Sequence, residues 1–155
     1  MSESPLARGT VGVVAHYIFN VVSADPSQRS ALLDRAARSL RVAMWGIDSE
    51  ERHRDALAPG DLVLVYLGAP VLEFIGRAEL ASAAHDWTPT ERQVYPGDSP
   101  GGVLLAQVEE WDPPVPIHAV LSGIDSPEAK AEFEAGVVQI TAHEYATALS
   151  VAAHR

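Results

Sequence analysis

Apolar residues along this chain fall into short runs, separated by polar breaks that contain proline and glycine. Short continuous runs rich in β-branched residues are typical of buried strands, whereas apolar repeats at three and four residues indicate helices. The pattern predicts strands at 13–23, 62–68, 72–82, 103–111 and 136–141, and a short extended piece at 42–47. It predicts helices at 26–41, 126–135 and 142–153, with one or two helical turns in 50–58. These elements indicate a mixed α/β (α+β) domain, a curved and mostly antiparallel β-barrel with flanking helices.

Two of the predicted helices begin at capping sequences. Pro26 stands in the first turn after Asp25, with Gln28 at the capping-box position, and Thr141 with Glu144 forms a second capping box. Apolar residues recur at helical spacing in the first helix and predict a core-facing side with arginines opposite. These apolar residues are Leu32, Leu33, Ala36, Ala37 and Leu40.

Two stretches break the regular pattern. Residues 85–102 form the longest irregular segment and are rich in proline and glycine, which is typical of a functional or mobile loop. Residues 112–116 contain three prolines, and we expect them to end the strand at 103–111.

Composition indicates one folded domain. The chain has 155 residues, 47% of them apolar, and its mean hydropathy is +0.03. We expect a flexible N-terminal tail at 1–12 and a single domain at 13–155. The absence of cysteine excludes a disulfide framework. No apolar run reaches membrane-spanning length and the first residues are polar, so we expect a cytoplasmic protein without a membrane partner.

Charge is distributed unevenly along the chain. The formal net charge is −10, whereas affinity for phosphates normally comes from lysine and arginine. Residues 29–54 contain six arginines against four carboxylates, a net of +2. Residues 101–155 contain two basic residues against eight carboxylates, a net of −6, which indicates a solubilising surface. Around Trp45, the segment 29–54 is therefore where we expect phosphate contacts, and we select Arg41, Arg52 and Arg54. Arginines scattered over the exposed side of a helix explain the same pattern equally well.

An ordered set of short motifs resembles one known family. Trp45-Gly46 is followed by Pro59-Gly60-Asp61 with an apolar strand, and then by Phe74-Ile75-Gly76 with a second strand. A strand at 103–111 and the segment 133–145 close the series. In this order and spacing the chain resembles the EVE domain over roughly residues 15–150, a PUA-like β-barrel related to the YTH readers of methylated RNA.

The resemblance implies a pocket for one flipped, modified base of DNA or RNA. Trp45 matches the family's principal cage tryptophan, and Trp87 lies where YTH proteins have a second cage aromatic. Ser23, Ala24 and Gly46 match the pocket rim, where relatives contact the base edge. We therefore expect Trp45 to be partly exposed in a cleft between the first strand, the residue 50s and the loop after residue 85. A separate effector protein is a further partner that this reading allows.

Departures from the family leave other interpretations open. Ala24-Asp25-Pro26 replaces an asparagine-containing run, and the helix before Trp45 is longer than in relatives. Without the resemblance Trp45 is more simply a core residue, and Trp87 equally fits a cover over the barrel mouth. The acidic charge favours a module that binds a nucleobase-like small molecule or a protein partner. An ASCH-like hydrolase is a third alternative, but Lys130 is the chain's only lysine and lies outside the motifs.

Candidate chemistry beyond binding is sparse. The six histidines show no spacing typical of metal ligands, so we expect neither a metal nor a cofactor. His143-Glu144 lacks the second histidine of a zincin motif, and His85-Asp86 is more simply a turn than an acid–base pair. We identify no catalytic residue and expect a protein that is not an enzyme.

Overall fold

A computed structural model describes residues 13–21, 27, 29–68, 72–116 and 136–154. The strands are β1 (His16–Val21), β2 (Met44–Gly46), β3 (Leu62–Leu67), β4 (Glu73–Leu80), β5 (His85–Asp86), β6 (Gly101–Pro116) and β7 (Val137–Ile140). The helices are α1 (Arg29–Val42), α2 (Pro89–Val94) and α3 (Ala142–Ala153), with a 3₁₀ turn at Arg54–Ala56. Within the described parts of the chain, no helix is both long enough and apolar enough to cross a membrane.

The described strands form one curved sheet in the order β2-β6-β4-β3-β1-β7, with β5 also paired to β6. Every described pairing is antiparallel except β1 with β3, so the prediction of a mostly antiparallel sheet is confirmed. Register shifts interrupt the pairing of β3 with β4 and of β4 with β6. Because such irregularities bend a strand and increase its twist, they help the sheet to curl into a half-barrel.

Two buried clusters lie on opposite faces of this sheet. The first contains Trp45 and the apolar side of α1, including Leu32 and Ala36, as the helical spacing predicted. The second contains Trp111 and the buried side of α3, including Tyr145. Alternation along β1 divides its side chains between the two clusters, because successive residues of a strand point to opposite faces.

Most predicted elements are confirmed with shifted ends. The first helix is α1 and the last is α3, whose Thr141–Glu144 capping box is present. The helix expected at 126–135 lies outside the described residues, as do Asp25, Pro26 and Gln28 of the first capping sequence.

Two predictions about irregular segments are wrong. Strand β6 continues to Pro116 instead of ending at residue 111. Beyond Glu110 the strand pairs with β4 at only two positions, Val115 and Pro116. Its prolines are tolerated because few hydrogen bonds of the sheet are required in this part of the strand. Segment 85–102 is not continuously irregular either, since it contains β5 and α2.

Candidate functional site

A cavity of about 80 Å³ lies between α1, β2 and the residue that follows α2. Its wall combines apolar and aromatic side chains with two hydroxyls and one guanidinium group. The lining residues are Leu32, Arg35, Ala36, Ser39, Trp45, Gly46 and Tyr95. The cavity therefore holds the predicted pair Trp45 and Gly46, together with residues that the sequence did not single out.

Trp45 is placed by the pairing of β2 with β6, opposite Val103. Its indole stacks at 6.4 Å on Phe19, with an interplanar angle of 22°. Only 5% of the residue is exposed, so the expectation of a partly exposed tryptophan is wrong. The ring is therefore both a core residue and one wall of the cavity, because it belongs to the first buried cluster and also lines the cavity.

Tyr95 forms another part of the wall. Its hydroxyl lies where a Cβ atom on Gly46 would stand, and its hydroxyl and ring edge also lie too close to Gly97 to leave room for a Cβ atom there. Glycine at both positions is thus what lets the ring approach the backbone. Burial raises the pKa of the Tyr95 phenol, an effect that the backbone of Gly46, the Ser39 hydroxyl and the Arg35 charge oppose.

Trp87 stands behind Tyr95 rather than at the cavity. It is 4% exposed, and its ring centroid lies 4.9 Å from that of Tyr95 at an angle of 42°. His85 also contacts it, edge-on, at a centroid distance of 5.7 Å. Its Nε1 is buried and has no hydrogen-bond partner among the described residues. Trp87 therefore reaches the cavity only through Tyr95, and its role in a cage stays a prediction.

The other predicted site residues are distributed around the cavity rather than in it. Arg41 pairs with Glu110 and Arg54 with Asp86, each at 3.5 Å. Arg52 lies in a separate shallow hollow beside three carboxylates, Asp48, Glu50 and Glu51. Ser23 and Ala24 lie outside the described residues.

Arg35, Ser39 and Tyr95 were missed by sequence reasoning. Two of them follow from helix geometry, since Arg35 and Ser39 are one turn apart and flank Ala36 on the side of α1 that faces Trp45. Ser39 is further held by its hydroxyl, which donates to the Met44 carbonyl at 2.7 Å. For Tyr95, the sequence 88–91 was an overlooked signal: a Thr88–Glu91 capping box with proline at the first helical position begins α2.

Groups able to hold a metal are absent from the described ranges, where no three histidine or carboxylate side chains lie close enough together. The site thus offers stacking surfaces, hydrogen-bonding hydroxyls and one positive charge. This arrangement suits a flat, mostly apolar ligand with a polar edge.

No protein-family model and no curated protein match the chain, whereas solved structures do. The human THYN1 protein, solved in complex with 5-methylcytosine-containing DNA, has a TM-score of 0.57 and 13% identity, covering 89% of this chain and 97% of its own. The Rpa0253 protein of Rhodopseudomonas palustris has a TM-score of 0.58 and 18% identity, covering 91% and 94%. The ASCH protein of Zymomonas mobilis has a TM-score of 0.53 and 13% identity, covering 87% and 94%. At these identities the likeness establishes the fold, and this chain has the PUA-like fold that its resemblance to EVE domains implied.

Proposed function

We propose that the protein binds one modified base of a DNA or RNA strand in the cavity beside Trp45. The observation that carries the proposal is that two aromatic rings, of Trp45 and Tyr95, meet at a cavity edged by Arg35. The human THYN1 protein adds support, because it has the same fold and was solved with methylated DNA. The function is one of binding, without a chemical step.

Stacking supplies the main attraction in this proposal. A base that leaves its strand regains contact when its faces lie against aromatic rings, and a methyl group adds apolar contact. Such stacking contributes about 1–3 kcal/mol per base. Trp45 is the fixed wall, Tyr95 is the second wall, and Trp87 supports Tyr95 from behind.

The size of the cavity limits how a base can enter it. A cavity that holds a benzene ring measures about 150 Å³. The present cavity is about 80 Å³, so a base enters only if a wall moves. Tyr95 is the wall that can move, because it is half-buried and follows a six-residue helix with no buried residues, whereas Trp45 is part of the core.

Phosphate contacts come from arginines beside the cavity. Arg35 lines its edge, and no ion pair is found for it in the described part of the chain. Arg41, Arg52 and Arg54 remain proposed contacts, but phosphates must compete with the carboxylates beside them. We therefore assign Arg35 the first phosphate contact of the flipped nucleotide.

Binding of short oligonucleotides at low salt tests the proposal. A panel of single- and double-stranded DNA and RNA, each with and without 5-methylcytosine or N6-methyladenine, is titrated by fluorescence anisotropy. We expect one modified member to bind more tightly than its unmodified partner. Equal binding of all members, or binding of none, overturns the proposal.

Matched tryptophan variants connect the binding to the cavity. Trp45 and Trp111 are 5% and 6% exposed and lie on opposite faces of the sheet. Trp45→Phe is expected to weaken binding of the modified strand by about 1 kcal/mol, the lower end of the range for base stacking, because a smaller ring remains. Trp111→Phe keeps the affinity unchanged, since it changes a similarly buried tryptophan away from the cavity.

Arg35→Ala separates backbone contact from base recognition. It is expected to weaken modified and unmodified strands alike and to lower the salt slope by about 1. Arg41→Ala is the control within the same helix, with a smaller effect because Glu110 already neutralises Arg41.

A second candidate is a free nucleobase-like small molecule bound in the same cavity. The net charge of −10 favours it, because an acidic protein repels a polyanionic strand but not a neutral base. Calorimetric titration with free modified bases and nucleosides distinguishes the two. Saturable binding of a free base that no oligonucleotide displaces would favour the small molecule.

A further inference from the structure

His85 lies between two hydrogen-bond acceptors. Its Nδ1 is 3.0 Å from the Ala83 carbonyl oxygen, and its Nε2 is 3.0 and 3.2 Å from the two carboxylate oxygens of Glu91. A neutral imidazole has only one N–H group, so it can donate to only one of these partners. Both hydrogen bonds form together only when His85 is protonated.

Glu91 is also the residue that organises α2. Its carboxylate accepts from the Thr88 amide at 2.9 Å, and its own amide donates to the Thr88 hydroxyl at 3.2 Å. Its carbonyl accepts from the Tyr95 amide at 2.9 Å. Since α2 buries no residue, its position depends on such polar contacts more than on packing.

A chain of contacts therefore runs from His85 to the cavity. His85 holds Glu91, Glu91 holds the backbone of Tyr95, and the Tyr95 ring forms part of the cavity wall above Gly46. Trp87 contacts the rings of both His85 and Tyr95.

Charged groups reach His85 from two neighbouring elements and from its own strand. Glu91 faces His85 from α2, and the charge of Arg54 in the 3₁₀ turn also affects it. Arg54 in turn pairs with Asp86 of β5 at 3.5 Å. On the β6 side its register partner is Gly102, which has no side chain. The Ala83 carbonyl and then Glu91 raise the pKa of His85 above its ordinary 6.5, against burial and the charge of Arg54.

We propose that protonated His85 is a latch that keeps Tyr95 over the cavity, and that loss of this proton releases α2 and opens the cavity to its ligand. The regulatory half of this inference rests on the proposed function, whereas the latch itself does not. Because only the open state admits a base, the apparent affinity scales with the fraction of molecules that are open.

The sign of the effect follows from the contacts. A histidine whose folded pKa is raised stabilises the latched state fully below pH about 6.5, and this stabilisation is lost as the pH rises through the folded pKa. Affinity for the ligand is thus expected to increase with pH. Ordinary electrostatics predicts the opposite for a nucleic acid, because every histidine that loses its charge weakens attraction to phosphate.

Nuclear magnetic resonance of the ligand-free protein tests the latch. The indole N–H signals of the three tryptophans and the Tyr95 amide signal are followed from pH 5.5 to 8.5. Trp87 reports His85 directly, because the two rings touch. The latch requires that Trp45 and Tyr95 change with the same midpoint, whereas Trp111, on the other face, does not. A Trp45 indole signal that does not change at the His85 midpoint overturns the latch.

Two variants and one control complete this test. His85→Ala abolishes the shared titration. Glu91→Gln keeps a side chain that can complete the capping box but lacks the negative charge, so the shared midpoint moves down. His143→Ala removes an exposed histidine at the start of α3 and leaves the titration unchanged. Persistence of the shared titration in His85→Ala contradicts the proposal.

The binding measurement uses the 5-methylcytosine oligonucleotide of the panel at the same pH values. We expect the wild type to bind about two- to fivefold more tightly above the midpoint than below it, the range expected for one partly exposed ion pair. In His85→Ala we expect the affinity not to increase between these pH values. Shared titration without the rise in affinity overturns the regulation but not the latch, and absence of binding at every pH counts against the proposed function alone.

Discussion

Two helices of this protein begin with the same capping box, Thr88–Glu91 in α2 and Thr141–Glu144 in α3, yet they are attached to the sheet in different ways. Helix α3 has twelve residues and buries four, and its capping Glu144 is only 3% exposed. Helix α2 has six residues, buries none, and shares its capping Glu91 with His85.

This difference separates a structural helix from a movable one. Tyr145 and Ala148 anchor α3 in the second buried cluster, so moving α3 would expose apolar surface to water. Moving α2 breaks a few hydrogen bonds and shifts Tyr95, which is only half-buried. The same local motif therefore serves stability in one place and access to the cavity in the other.

Replacement of the buried tyrosine gives the largest expected effect. Tyr145→Ala should lower the free energy of unfolding by about 3–5 kcal/mol, the cost of removing a large buried aromatic residue. Urea denaturation followed by circular dichroism measures it. A loss under 1 kcal/mol would show that α3 is no better anchored than α2.

Removal of the α3 cap has the next largest expected effect on the free energy of unfolding. Thr141→Ala leaves the Glu144 amide without its 3.0 Å partner and should cost about 1 kcal/mol. The unfolding midpoint should fall while the oligonucleotide affinity of the folded protein stays the same. A change in affinity would contradict the division of roles between the two helices.

Tyr95→Ala sharpens the contrast with Tyr145. Because Tyr95 is half-buried and borders the cavity rather than the core, its removal should cost at most about 1 kcal/mol of unfolding free energy. The same variant should remove the Tyr95 contribution to the pH-dependent change at the Trp45 indole. Denaturation and resonance titration of one sample check both statements.

The smallest expected stability effect is that of Thr88→Ala. It removes the cap of α2, but this helix contributes little packing, so the loss should be about 0.5 kcal/mol or less. Hydrogen exchange at the Tyr95 amide, which depends on α2, should nevertheless accelerate more than exchange in α3. Equal acceleration in both helices would argue against an independently mobile α2.

Much of the fold was predictable because it depends on near neighbours in the chain. The apolar spacing from Leu32 to Leu40 predicted the buried side of α1, and Thr141 with Glu144 predicted the start of α3. The run of prolines after Trp111 misled the prediction of β6, since a proline costs a strand only the hydrogen bond that its own amide would have made.

The candidate site was predictable only in part. The resemblance selected Trp45 and Gly46, which do line the cavity. The charge pattern selected Arg41 and Arg54, which pair with carboxylates from distant strands. Tyr95 was missed because segment 85–102 was interpreted as a loop, although Thr88, Pro89 and Glu91 carry a capping signal like the one used for α3.

By itself the sequence determined α1 and α3, most strands, the cap of α3 and the mostly antiparallel class of the sheet. These features follow from spacing and hydrogen bonds within one or two turns of chain. Only the tertiary structure decided that Tyr95 lies over Gly46 and that His85 lies between Ala83 and Glu91. The first arrangement depends on how β2 pairs with β6, a contact between segments nearly sixty residues apart, for which no local pattern specifies the register.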